Sequence, residues 1–212
     1  MPTSRDIVNS FLGAFRRPRT VSWERQEDLS PMIWRLPDEG HPDVGSINRV
    51  MLREHEKAAL YKAGTYDNVF SQGEHDLPKD IDEVVFVDIS PRTRPFGIPR
   101  FQGPETKDGL RFGFSGRVTF RVNEDVVDVA NFVNKVVSGR ASVSDEDIVG
   151  WMREGPLKSV FKDIVKERTY EEFRHMDRDE MMMELEAKLG MELSDNGMEL
   201  LSIEILNFSD PE

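Results

Sequence analysis

Residues 110–122 read L-R-F-G-F-S-G-R-V-T-F-R-V, with apolar and polar positions in near-strict alternation. Leu110, Phe112, Phe114, Val118, Phe120 and Val122 fall on one side of an extended backbone. Arg111, Ser115, Arg117, Thr119 and Arg121 fall on the other. A period of two predicts a strand with one buried and one wet face. A second apolar run, L-L-S-I-E-I-L-N-F at 200–208, predicts a closing strand. Between them the pattern becomes helical. Val126, Val129, Ala130, Val133 and Val137 form one stripe behind an expected cap at Asn123, and Ile148, Trp151 and Met152 form another behind Ser144. After Gly155-Pro156 the apolar face continues through Leu157, Val160, Phe161, Ile164 and Val165. Thr169 with Glu172, and Asp177 with Glu180, stand at capping-box spacing, and a last long helix is expected over 177–193.

Upstream, 49–54, 57–63 and 83–89 read as strands, 64–78 as strand ends and turns, and the Pro- and Arg-rich stretch 90–109 as a loop. Pro31, Pro37 and Pro42 make 20–48 an extended connector, which Trp23 and Trp34 are expected to fasten to the core. Residues 4–16 predict a short amphipathic helix with Ile7, Val8, Phe11, Leu12 and Phe15 on one stripe, stopped by Pro18. The whole is an α+β pattern: a twisted antiparallel sheet, then helices, then a closing strand, behind an N-terminal amphipathic helix. The expected divisions are 1–19 basic helix, 20–48 connector, 49–208 folded domain and 209–212 tail.

Charge changes this picture. The 212 residues carry a formal −12, which argues against nucleic acid as a partner, because phosphate backbones need a clustered basic surface. Residues 1–19 run the other way: Arg5, Arg16, Arg17 and Arg19 against Asp6 give +3, leaving −15 on the rest. A basic amphipathic helix of this kind suits an anionic membrane surface, with Ile7, Val8, Phe11, Leu12 and Phe15 entering the interface and Arg16, Arg17 and Arg19 meeting headgroups. Docking on its own domain or on a neighbouring subunit suits the same pattern. Cysteine is absent, which excludes disulfides, thiol chemistry and zinc ribbons. No apolar run approaches the 20 or so residues of a membrane-spanning helix.

Candidate chemistry is sparse. There is no G-x-G-x-x-G, no Walker A motif and no G-x-S-x-G, the nearest approach being G-F-S-G at 113–116 inside a strand. His41, His55, His75 and His175 are scattered without metal spacing. The sequence therefore predicts no catalytic, cofactor-binding or metal-ligating residues and no cofactor. Arg111, Arg117 and Arg121, exposed on an acidic molecule, are the candidate face for a second copy.

The segments R-E-H-E-K-A-A-L-Y-K-A-G-T-Y-D-N-V-F-S-Q-G-E-H-D-L-P (53–78), V-V-F-V-D-I (84–89), T-K-D-G before the alternating strand (106–122) and N-G-M-E-L-L-S-I-E-I-L (196–206) stand in an order that resembles the SPFH superfamily of stomatin, prohibitin and flotillin. F-V-N-K-V-V-S-G and the W-R-L-P-D-E-G-H-P-D lead-in look most like its prokaryotic virion-core-like branch. The resemblance covers about 46–208 and implies membrane-associated scaffolding and self-assembly. Two departures weaken what it implies. The chain lacks the N-terminal hydrophobic segment of many members, and it stops four residues after Phe208 without their coiled-coil extension. The expectation is a non-enzymatic, membrane-proximal scaffold that forms a homo-oligomer and recruits protein partners, cytoplasmic or peripheral at the inner face of the cell membrane. The alternative is a soluble protein-interaction adaptor that never touches lipid.

Overall fold

The computed structural model describes residues 19–24 and 31–209; the helix expected over 4–16 and the tail from 210 lie outside them. Within the described residues the strands form three sheets. The first joins β1 (Thr20–Ser22), β3 (Arg49–Leu52) and β6 (Gly73–Asp76), with β1 parallel to β3. The central sheet runs β10-β2-β7-β4-β5, from β2 (Ile33–Leu36), β4 (Glu56–Lys62), β5 (Thr65–Phe70), β7 (Glu83–Asp88) and β10 (Ser142–Val143). The third is β11-β9-β8, from β8 (Arg92–Ile98), β9 (Phe114–Val122) and β11 (Met198–Phe208). Helix α1 (Val126–Asn131) widens into a π turn over Phe132–Val137. It is followed by α2 (Asp145–Glu154), α3 (Pro156–Val165), α4 (Tyr170–Arg174) and α5 (Arg178–Ser194).

The central sheet is covered on both faces, which is why β7 reads as the unbroken run E-V-V-F-V-D rather than as an alternation. On one side Ala58, Leu60, Val84 and Phe86 meet Val50 and Leu52 of the first sheet in the smaller core. Ala58 stands opposite Phe86. Phe86 takes both tryptophans of the upstream segment: Trp34 stacks on it at 4.9 Å and Trp23 tilts onto it at 6.4 Å. Parts of the span expected as connector are thus strands β1 and β2, built into two different sheets. On the other side Ala59, Tyr61, Val85 and Val87 join the larger core with the inner face of β9 and the helices. Tyr61 donates its hydroxyl to Asn134 at 2.8 Å, tying this sheet to the π turn, and burial pushes its phenol up to about 12.

Local chemistry sets the helix ends. Asp125, not Asn123, caps α1, accepting from the Val127 amide at 2.9 Å. Ser144 with Asp147 and Thr169 with Glu172 form complete capping boxes, whereas Asp177 caps α5 without a reciprocal bond. Met181, Leu185, Leu189 and Leu193 of α5 are buried, while Met183 and Met191 lie outside at 71% and 64% exposure.

Strand β8 lies inside the stretch read as a loop. Its inward positions are Arg92, Arg94, Phe96 and Ile98, in register with Phe120, Val118, Gly116 and Phe114. Two of the four are arginines, so no hydrophobic alternation marks the strand. They are accommodated because Arg92 reaches fully buried Asp88 and Arg94 reaches buried Asp145 at 2.7 Å. Pro95 faces outward on the edge strand, where a missing N–H is tolerated.

Backbones approach closely at Gly116, where a Cβ would meet the Glu204 carbonyl oxygen at 2.0 Å. Gly116→Ala is expected to destabilise the fold by about 1–3 kcal/mol. Gly150→Ala, in α2 with nothing within 4 Å, is expected to be neutral or stabilising by about 0.5–1 kcal/mol. Denaturant titration of the two variants checks the opposite signs.

Candidate functional site

The T-K-D-G segment positions the start of the long strand. Gly109 takes φ +81°, and the Thr106 hydroxyl, almost fully buried, donates to Asp108 at 2.6 Å and accepts from the Leu110 amide at 3.2 Å. The same Asp108 carboxylate accepts from the Tyr170 amide at 3.0 Å, so the turn is fixed to the first turn of α4. Lys107 donates its amide to the Arg168 carbonyl at 2.8 Å. The Thr106 hydroxyl first, then the Tyr170 amide, outweigh partial desolvation and hold the Asp108 carboxyl below its ordinary value.

Beyond this turn, β9 pairs with β8 on one side and β11 on the other, and the outer face carries the polar half of the alternation. Thr93 and Thr119 share a hydrogen bond at 3.0 Å. Arg121 donates to Glu199 directly across from it at 2.6 Å. Arg117 is exposed and has no ion-pair partner among the described residues. Arg111 precedes β9, donates to Glu105 at 2.9 and 3.0 Å, and lines a groove with Lys158 and Lys162. Of the three candidate arginines, Arg117 and Arg121 share the outer face, and Arg111 belongs to a different surface.

β11 is an edge strand of eleven residues, and its register with β9 slips between Leu200 and Ser202 and again between Ile205 and Asn207. The residues passed over are Leu201 and Leu206, exposed at 41% and 46%. A bulge re-aims a side chain and bends the edge, and here both bulges extrude a leucine. The Arg178 guanidinium donates to the Ile205 carbonyl at 2.6 Å. The sequence signal for this surface was an excess of apolar residues over what alternation needs: seven of the eleven positions of β11 are Met, Leu, Ile or Phe.

Ile7, Val8, Phe11, Leu12, Phe15, Arg16 and Arg17 lie outside the described residues. Arg19, the last residue of that segment, donates to the Ser46 hydroxyl at 3.1 Å beside the first sheet. The histidines are separately engaged: His41 on Asp38, His55 beside Glu54, His75 stacked on Phe70, and His175 beside Glu171. No three metal-ligating side chains converge among the described residues. No described helix is long and apolar enough to cross a membrane.

The sequence matches the family described as SPFH domain / Band 7 over residues 51–212. The chain belongs to this family. Its Band 7 span takes in the central sheet apart from β2, the whole third sheet and the helices, while β1, β2 and the start of β3 lie before it. Band 7 proteins are in general membrane-associated, scaffold-like and non-enzymatic. A comparison with curated proteins gives no match.

The depressed Asp108 value has a definite sign. A carboxyl lowered by folding stabilises above its unfolded pKa of about 3.9 and loses that contribution as pH falls through the lower folded value. Asp108→Ala is therefore expected to lower the melting temperature at pH 7, with the gap to the parent chain narrowing below about pH 4. Melting curves by circular dichroism at pH 7 and pH 3 check this; an equal gap at both would contradict it.

Proposed function

We propose that the chain is a non-enzymatic scaffold held at an anionic membrane surface, which self-associates and recruits protein partners through the third sheet. The observation that carries the reading is the pair of leucines extruded from β11. An edge strand presents unpaired backbone groups, and natural proteins usually blunt such edges with charge, proline or cover. Here Arg178 reaches the Ile205 carbonyl, and Leu201 and Leu206 stand outside. Arg117 on the adjoining outer face gives an acidic second copy a charge to meet, with Arg121 and Glu199 as a polar rim. Membrane proximity is supported by family membership and by the basic amphipathic pattern of residues 1–19, and in this reading the chain is peripheral at the inner face of the cell membrane.

The adaptor reading keeps the partner surface and drops the lipid. Two experiments separate these parts. Vesicles containing phosphatidylserine are expected to pellet the full chain, and deleting residues 1–19 is expected to weaken pelleting at least several-fold; absence of pelleting by the full chain favours the soluble adaptor. Light scattering is expected to show an oligomer that Leu201→Ser with Leu206→Ser shifts toward monomer. A strict monomer at high concentration would defeat self-association.

A further inference from the structure

Arg111 leads to a second surface. With Phe101, Glu105, Lys158 and Lys162 it lines a groove of ≈ 480 Å³ between the turn after β8 and helix α3. Lys158 and Lys162 stand four residues apart on α3, so their ammonium groups are neighbours on one helix face, an arrangement that costs a few tenths of a kcal/mol. Neither has an ion-pair partner among the described residues, although the chain holds 40 acids against 28 lysines and arginines. Glu105 is the one carboxylate in the lining, and Arg111 already engages it through two N–H groups. The groove therefore concentrates positive charge on a molecule of the opposite sign.

Phe101 stands at its rim with 73% of its surface exposed, more than any other large apolar side chain described. Phe101 is the middle residue of a tight turn, Arg100–Gln102, between Pro99 and Pro104. At Gly103 the turn lies so close to β9's lead-in that a Cβ would meet the Phe112 carbonyl oxygen at 1.8 Å. The turn is pressed onto the sheet at Gly103.

We propose that this groove binds the phosphate of an anionic lipid headgroup, with Lys158, Lys162 and Arg111 around the anion and Phe101 entering the interface beside it. This deepens the membrane reading above, on which it rests, and gives the folded domain a lipid contact separate from residues 1–19. A projecting aromatic ring beside unpaired ammonium groups matches an interface that is apolar below and anionic above. A soluble anion would use the cations and leave the ring in water. The acidic remainder of the surface is repelled by the same membrane, so the groove also sets the orientation in which the domain approaches it.

The test uses the full chain and flotation with phosphatidylcholine vesicles, with and without one-fifth phosphatidic acid. The parent chain is expected to float only with the anionic vesicles. Lys158→Gln with Lys162→Gln is expected to weaken binding by about thirty-fold, two cations at roughly 1 kcal/mol each, and Phe101→Ser by about tenfold. Lys62→Gln with Lys79→Gln, the same change of charge elsewhere, is expected to leave binding within about twofold, and melting temperatures establish that every variant is folded. Groove variants that bind as the parent does overturn the groove while leaving the membrane reading standing. A parent chain that floats with neither vesicle defeats the membrane reading itself. Saturable binding of inorganic phosphate at Lys158 and Lys162, with Phe101→Ser floating like the parent, assigns the groove to a soluble anion and overturns the lipid proposal.

Discussion

The third sheet is governed by a mismatch in length. β11 and β9 are paired from Met198 opposite Val122 to Phe208 opposite Phe114, so eleven residues run beside nine. Two residues have no partner and must leave the ladder. They are Leu201 and Leu206, and each bulge resets the alternation so that Met198, Leu200, Ile203, Ile205 and Phe208 stand opposite inward residues of β9. The core side of β11 is thereby kept facing α5 and β9, with Leu201 and Leu206 left in solvent. Without the bulges a single-residue slip would turn the rest of the strand inside out. The proposed partner surface is therefore a consequence of how the sheet closes.

A different constraint holds the three layers together. Asp88 ends β7 with no exposed surface, and its carboxylate accepts from Arg92 and from the Ser90 amide and hydroxyl at 3.0 and 2.7 Å. Arg94, two residues along the same face, reaches Asp145 at the first turn of α2. Central sheet, third sheet and helix layer thus meet at two ion pairs on one face of β8. Such pairs add little net stability over apolar packing, because desolvation offsets most of the attraction, but losing one partner leaves a buried charge. Their effect is to fix which face of β8 turns inward, a choice that Phe96 and Ile98 alone leave weakly specified.

That arrangement explains what was legible in the sequence and what was not. The alternation at 110–122, the continuous run at 83–88 and the helical stripes from Val126 onward each report burial directly, and the strand at β9, the buried strand β7 and α2 to α5 follow from them. β8 was hidden because half of its inward side is charged, and charge reads as surface unless the buried acid is known. β1 and β2 were hidden because each is short and gains its hydrogen bonds from strands distant in sequence. The cap of α1 moved from Asn123 to Asp125 because the Asn123 amide is taken by the Gly197 carbonyl at 3.0 Å, which keeps that residue with the sheet. The arginine face was half legible: parity placed Arg117 and Arg121 together, but the bridge between Glu105 and Arg111 turns Arg111 toward α3.

The two surfaces follow from opposite departures from the same rule. A half-buried strand should show polar residues outward and apolar residues inward. At β11 the departure is apolar residues outward, produced by a register that has no place for them. At the turn after β8 it is one aromatic ring outward, Phe101, beside a glycine packed closely on the lead-in to β9. The first is not relieved by sliding, since it is counted out by strand length. An exposed apolar group that the fold cannot withdraw persists under selection only where a partner covers it or its cost is small. Leucines at a sheet edge invite another polypeptide, whose backbone would complete the ladder. A ring beside unpaired lysines invites an anionic interface. On both proposals the acidic remainder of the chain keeps the rest of the surface away from anionic lipid and from other acidic copies, so that contact is confined to the two places where that repulsion is locally broken.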